Sequence, residues 1–473
     1  DFGASFSSLS SPSFFFFFFS FFFFFFFFPT SQRYGSPLSS SISASTGVFP
    51  KEALPTKSGY LPVDRSSESA IFYAFYEAQK PTSPSLSQTP LLVWLQGGPG
   101  CSSMYGNFLE LGPWRVKFQE QRHDSFTLEP NPGAWNRKFG ILFLDNPIGA
   151  GFSMASSPQE IPRDELSVAK HLFIAITTFL QLNQSLKSRP LYIAGESYAG
   201  KYVPAIGYYI LNKNAGQLTE HRRVNLAGIA IGNGLTDPVN QVATHASNAY
   251  FSGLINQRQK IELEKLQSEA IDLAKLGLWS QATNIRYAVM DSLQKMTGLA
   301  TMFDYTKKVP YEINRVTRFL QNEVVKRALG VKESVGFHRC SDAVKNALHE
   351  DVMKSVKNMV EMVLKKKSKV LLYQGQYDLW DGVASTEAWV RTLGWEETGN
   401  FLMAERKVWK RDGKVAGYVQ KWRNLSNVAV FGAGHLVPVD QPLNSQEMIE
   451  NWVLDQGLFG EKDLLSNHWG TFS

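Results

Sequence analysis

An α/β fold with a mainly parallel sheet is the architecture that this chain of 473 residues predicts. Three observations carry that expectation. Short apolar, β-prone runs recur at 70–76, 91–95, 141–145, 191–194, 226–231, 370–373 and 427–431. Between two of them, Leu166, Ala169, Phe173, Ile176 and Leu180 recur at helical spacing, with Asp164 placed as a cap. Strands alternating with helices give a parallel sheet flanked by helices, and several runs end in loops with reactive side chains, where functional groups collect in such sheets.

In chain order, the first residues stand outside this pattern. Phe14 to Phe19, Ser20 and Phe21 to Phe28 form a tract of 15 residues, short of the roughly 20 that span a bilayer. The tract fits the apolar core of a signal peptide, with small residues at 39–45 as cleavage context, but a charged leading segment is missing and the chain opens on Asp1. An incomplete or mistranslated 5′ end is the alternative. Residues 28–58 are rich in Ser, Pro and Thr and read as leader or linker. Residues 1–47 are therefore set apart from a domain expected over 48–473.

The run 91–95 passes into Gln96-Gly97-Gly98-Pro99-Gly100-Cys101-Ser102-Ser103. Backbone amides free of side chains can there point at a developing oxyanion, although a plain Gly-Pro turn has the same look. The run 191–194 breaks at Gly195-Glu196-Ser197-Tyr198-Ala199-Gly200. This is a variant of the G-x-S-x-G nucleophile elbow, with Ala199 in the last place and Gly200 behind it. A sharp strand-to-helix turn needs small neighbours, and it lifts the Ser197 hydroxyl clear of the backbone. The runs 370–373 and 427–431 lead to Asp378 and His435. Alone, each of these residues is more often a cap, a turn or a structural histidine. Their order, Ser197 then Asp378 then His435, is that of α/β-hydrolases and not of chymotrypsin or subtilisin.

From about 238 to 369 the alternation breaks. This stretch is charged and helix-prone, with segments at 257–276 and 316–328, and it predicts a helical insertion over the active site. The run Lys365-Lys366-Lys367-Ser368-Lys369 reads as the solvated end of a helix opened by Asp351, its cations facing the helix dipole.

Composition narrows the partners. The chain is 44% hydrophobic and 19% charged, which are globular values, and its net charge of +6 is small. No basic stripe with interleaved aromatics appears, so nucleic acid is not an expected partner. Neither a metal nor a cofactor is expected, and nor is stable membrane insertion. There are two cysteines, Cys101 and Cys340. Cys101 can be a free thiol beside the glycine-rich turn, or half of a bridge if the chain is secreted. Asn183-Gln184-Ser185 and Asn424-Leu425-Ser426 are glycosylation candidates, of a kind common by chance.

Gly97-Gly98-Pro99-Gly100-Cys101-Ser102-Ser103, Gly195-Glu196-Ser197-Tyr198-Ala199-Gly200 and Gly432-Ala433-Gly434-His435 resemble the three signatures of serine carboxypeptidases. Asn131-Pro132 with Trp135, and Asp440-Gln441-Pro442, fit as well. The resemblance runs from about Pro50 to the C-terminus and looks most like the plant serine carboxypeptidase-like group. It implies a lid within the insertion and a Cys101–Cys340 bridge from the glycine-rich loop to that lid. Ser197 would attack the scissile carbonyl, His435 would take its proton, and Asp378 would orient His435. The backbone N–H groups of Gly98 and Tyr198 would hold the oxyanion.

The substrate of such an enzyme is the C-terminus of a peptide or protein. The resemblance implies that its free carboxylate is held by two glutamates and an amide, at Glu110, Glu196 and Gln96 beside Gly97. Two carboxyls held close cannot both ionise easily, so one stays protonated and donates, which makes chemical sense in acid. Gln96 departs from the usual asparagine by one methylene, a departure that bears on substrate preference. Two alternatives share the fold: an acyltransferase using glucose-ester donors, and a non-catalytic binding or protective homologue. Acyltransferases tend to carry aspartate where Glu196 stands and serine where Ala199 stands, so both residues favour the peptidase. The expected location is the secretory pathway, ending in the vacuole or outside the cell.

Overall fold

A computed structural model describes residues 49–118, 126–216 and 223–460. The phenylalanine tract, the Ser-rich leader up to 48 and the boundary between 47 and 48 lie outside the described residues. The strands are β1 (Lys57–Pro62), β2 (Ala70–Tyr76), β3 (Leu91–Leu95), β4 (Trp114–Phe118), β5 (Phe126–Pro130), β6 (Gly140–Leu144), β7 (Leu191–Glu196), β8 (Leu226–Gly232), β9 (Lys369–Gly375), β10 (Arg406–Arg411), β11 (Lys414–Trp422) and β12 (Leu425–Val430). Ten of them form one sheet in the order β1-β2-β6-β3-β7-β8-β9-β12-β11-β10, and β4 pairs with β5 alone. The six from β6 to β12 in that order run parallel, with antiparallel pairs at both edges. The mainly parallel α/β sheet expected from the sequence is present.

The central strands are apolar because they are covered on both faces. Along β3, Leu91, Val93 and Leu95 enter one core while Leu92 and Trp94 enter another, so the sheet separates two cores. The helix Glu165–Gln181 covers the first of them with Val168, Leu172, Ala175, Ile176 and Phe179. Asp164 caps it by accepting from Ser167 N, satisfying one of its orphan donors.

Between β8 and β9 the chain is helical. The helices Gln257–Lys275 and Trp279–Thr297 pack Leu263, Ala270, Ala282, Val289 and Leu293 into a third core. The segment 316–328 is two helices, Ile313–Gln321 and Glu323–Ala328, because Asn322 leaves helical geometry and caps the second through Val324 N. The lysine run ends the helix Lys357–Lys365, but Asp351 does not open that helix. It lies buried six residues before that helix begins, in the turn His349–Asp351, where it pairs with Lys201. No helix among the described residues is long and apolar enough to cross a membrane.

Parallel strands put their carboxyl ends on one edge of the sheet. Gln96 follows β3, Ser197 follows β7, Asn233 follows β8, and the loops after β9 and β12 carry Asp378 and His435. Neighbouring strands thus deliver residues from five separate stretches of the chain, 96 to 435, to one place.

Candidate active site

Ser197 sits where β7 turns into the helix Ala199–Ala215, and its φ is +61°, a left-handed conformation that a non-glycine residue holds only under constraint. The turn is fixed by three backbone bonds: Ser197 N donates to Gly232 O at 3.0 Å, and Ser197 O accepts from Gly200 N at 2.9 Å and Leu235 N at 3.0 Å. Gly200 has no room for a side chain, since a Cβ would lie 2.6 Å from Leu235 N. Ala199 therefore stands where the elbow pattern has its last glycine, and Gly200 supplies the close approach one position later. Gly97 lies against the elbow from the other side, where a Cβ would meet Tyr198 N at 2.5 Å and Glu196 O at 2.6 Å. Among the described residues, neither Gly98 N nor Tyr198 N donates to a backbone carbonyl.

Asp378 and His435 are buried and joined, with His435 Nδ1 2.8 Å from Asp378 Oδ2. Asp378 is held in turn by Asn233 Nδ2 at 2.8 Å, Trp380 N at 2.7 Å and Asp381 N at 3.1 Å. Burial disfavours a charged imidazole, but the charge of Asp378, its hydrogen bond, and the further charges of Asp381 and Glu110 outweigh it and hold the His435 pKa above its ordinary value. The ring of Phe303, from the insertion, stacks on His435 with centroids 4.5 Å apart. His435 Nε2 is buried and has no hydrogen-bond partner, so the structure joins His435 to Asp378 but not to Ser197. Nucleophile–base bonds are often loose until substrate is bound.

Gln96, Glu110 and Glu196 form one buried cluster. Gln96 Nε2 donates to Glu110 Oε1 at 3.0 Å and to Glu196 Oε1 at 2.8 Å, and Gln96 Oε1 accepts from Trp94 Nε1 at 2.9 Å. Both of its amide hydrogens and one lone pair of its oxygen are used inside the cluster. The second oxygens of both glutamates are buried and unpartnered. Burial pushes both carboxyls up, Glu110 to about 7 and Glu196 well above its ordinary value, and the facing charge of Glu110 adds to the rise at Glu196. The backbone carbonyl of Glu110 is fixed by Arg115 and by Asn131 Nδ2 at 3.0 Å.

The model of the serine carboxypeptidase family matches residues 48–455. The chain belongs to the serine carboxypeptidase family. It is 57% identical over 418 residues to serine carboxypeptidase-like 50 of Arabidopsis thaliana, covering 88% of this chain and 91% of that protein. It is 34% identical over 406 residues to a probable serine carboxypeptidase CPVL of Dictyostelium discoideum, covering 84% of this chain and 78% of that protein. Among solved structures, the prohormone-processing carboxypeptidase Kex1 of Saccharomyces cerevisiae superposes with a TM-score of 0.76 at 24% identity, covering 85% of this chain and 92% of that one; this likeness shows the α/β-hydrolase fold.

In this serine carboxypeptidase Cys101 and Cys340 are bridged, tying the glycine-rich loop to the insertion. Asn183 is exposed, and its carbonyl oxygen accepts from Ser185 N at 3.0 Å. Asn424 is half-buried, and its nitrogen donates to Leu364 O at 3.0 Å and Ser368 O at 2.7 Å. Asn233 and Phe303 were missed in the sequence. Asn233 had a signal, since a polar residue between two glycines after a predicted strand is where an open sheet places functional groups. Phe303 had none, because its role depends on how the insertion folds back. Among the described residues, no group of three or more His, Cys, Asp or Glu could hold a metal ion.

Proposed function

We propose that this serine carboxypeptidase releases C-terminal residues from peptides or proteins in acid, through an acyl-enzyme on Ser197. Ser197 Oγ attacks the scissile carbonyl carbon as its proton passes to His435 Nε2. The Oγ–C bond forms, the oxyanion rests on the N–H groups of Gly98 and Tyr198, and the C–N bond then breaks as His435 gives the proton to the leaving amine. Water repeats the sequence and frees Ser197. Asp378 keeps Nδ1 protonated and Nε2 basic. Gln96, Gly97, Glu110 and Glu196 bind the terminal carboxylate of the substrate. The compartment that suits this chemistry is the vacuole or the acidic extracellular space, reached by the secretory pathway.

The observation that carries this reading is the buried Glu110–Gln96–Glu196 cluster one residue from Ser197, with both carboxyls lifted by burial. A protonated carboxyl can donate to a carboxylate, and an ionised one repels it. The proton must be present, so raising the pH through neutrality should raise KM for a free-acid peptide. The same peptide with an amide terminus has no carboxylate to repel and should keep a flat KM. Steady-state kinetics of both substrates across pH tests this. A flat KM for the free acid would sink the carboxyl-pair account, whatever happens to kcat.

A further inference from the structure

The first turn of the helix Ala199–Ala215 holds a buried charge that the chemistry above does not use. Lys201 is wholly buried and pairs with the side chain of Asp351, and its ammonium also donates to the backbone oxygen of Asp351. The Tyr198 hydroxyl donates to Asp351 Oδ2 at 3.1 Å. The Tyr198 ring meets Tyr202 edge-on with centroids 5.1 Å apart, and the Tyr202 hydroxyl accepts from Gly100 N at 3.3 Å. Glu165 completes the cluster, with both carboxyl oxygens buried and unpartnered.

Asp351 comes from the insertion, and the same stretch of insertion also grips the glycine-rich loop. Cys340 is bridged to Cys101, Ser102 N donates to Arg339 O at 2.9 Å, and Ser341 N donates to Gly100 O at 3.0 Å. Val344 packs so closely that a Cβ on Gly100 would lie 2.6 Å from it. One stretch, 339–351, therefore holds Gly100 with one end and Tyr198 with the other. These are the two segments that carry the oxyanion donors.

We propose that residues 339–351 are a clamp that sets the spacing of the Gly98 and Tyr198 N–H groups, with Asp351 as its positioning residue and Lys201 as the buried counter-charge. The proposal rests on the assignment of those two groups as oxyanion donors. A buried ion pair is by itself weak evidence for stability, since both charges lose their water. Here the pair also carries the hydroxyl of the residue whose N–H faces the reaction. That hydroxyl bond distinguishes a clamp from a tie between insertion and core.

The test compares wild type with Tyr198→Phe, Asp351→Asn and the double variant Lys201→Met with Asp351→Leu. The readouts are kcat and KM on a blocked dipeptide, and inhibition by a peptide aldehyde, whose tetrahedral adduct places its oxygen in the hole. Tyr198→Phe and Asp351→Asn should lower kcat by about tenfold to a hundredfold, the scale of a small misplacement or of a weakened oxyanion donor. The aldehyde should weaken by the same factor, with KM unchanged. The double variant removes both members of the ion pair together, so neither is left without the other, and it should fold, yet its kcat should stay low. Wild-type kcat in Tyr198→Phe or in the double variant overturns the clamp, and so does a rise in KM alone. If Asp351→Asn fails to fold, Tyr198→Phe decides, because it keeps the buried ring and the N–H. Ser197→Ala, run alongside, should lose about six orders of magnitude in kcat; activity retained there would overturn the triad and not the clamp.

Discussion

Gln96 shows how much one side chain can carry. Its nitrogen bridges Glu110 and Glu196 with both amide hydrogens, and its oxygen takes the indole N–H of Trp94. Gln96→Ala would strand all three partners in a buried site. Leaving a buried polar group unpaired costs about 1–3 kcal/mol, so KM for a free-acid peptide should rise by roughly tenfold or more, with a smaller change in kcat. A KM within twofold of wild type would mean that the amide only fills space. Ser197, Asp378 and His435 could be found in the sequence because each follows an apolar run and their order is diagnostic. Glu110 could not be found from pattern alone, because a single glutamate in Phe108-Leu109-Glu110-Leu111 looks the same exposed or buried. Only the resemblance singled it out, and burial beside Glu196 is a fact of the fold.

At the scale of elements, what could be read followed from local periodicity. The fully buried runs that became β2, β3, β7 and β9 needed only their own apolar character. The hairpin of β10 and β11 escaped, because Arg406–Arg411 is a charged strand at the sheet edge and Lys414–Trp422 beside it is only partly buried, so that pairing more than burial makes these strands. The break at Asn322 escaped because it lies inside one continuous helical pattern. The turn before β9 is a further case in which a side chain closes an element. Asn424 spans from the end of the helix Lys357–Lys365 to Ser368 with both of its amide hydrogens. Asn424→Ala should therefore destabilise the protein by about 1–3 kcal/mol in chemical denaturation. Asn183→Gln should leave stability unchanged, since Asn183 is exposed and uses only its oxygen. In protein made through the secretory pathway, Asn183→Gln should also remove a glycan mass, because that nitrogen is the one left available. A stable Asn424→Ala protein would show that the turn closes without its side chain.

At the scale of the whole molecule, burial has put an unusual set of carboxyls into dry surroundings. Burial lifts Glu110 to about 7, Asp145 to about 6 and Asp381 to about 7, and lifts Glu165 and Glu196 well above the ordinary carboxyl range. The unfolded chain releases these protons at about pH 4. Above that value the native state therefore binds more protons than the unfolded state, and stability falls as pH rises. The contribution of Glu110, Asp145 and Asp381 is complete below about pH 4 and is lost as pH climbs through about 6 to 7, and Glu165 and Glu196 act in the same direction. His435, whose folded pKa is also raised, adds to the same trend. His245 opposes it. Burial lowers His245 to about 4, so its contribution is present above the ordinary histidine value and is lost as pH falls towards 4. The carboxyls outnumber it, and the thermal midpoint should be higher near pH 5 than near pH 8 at matched ionic strength. Glu196→Gln keeps a neutral, hydrogen-bonding side chain at one of these sites and should flatten the slope. Thermal unfolding of both proteins across this range is the measurement. A midpoint that rises from acid to neutral pH would mean that these carboxyls are charged in the folded protein, and the proposal that a protonated pair binds the substrate carboxylate would fall with it.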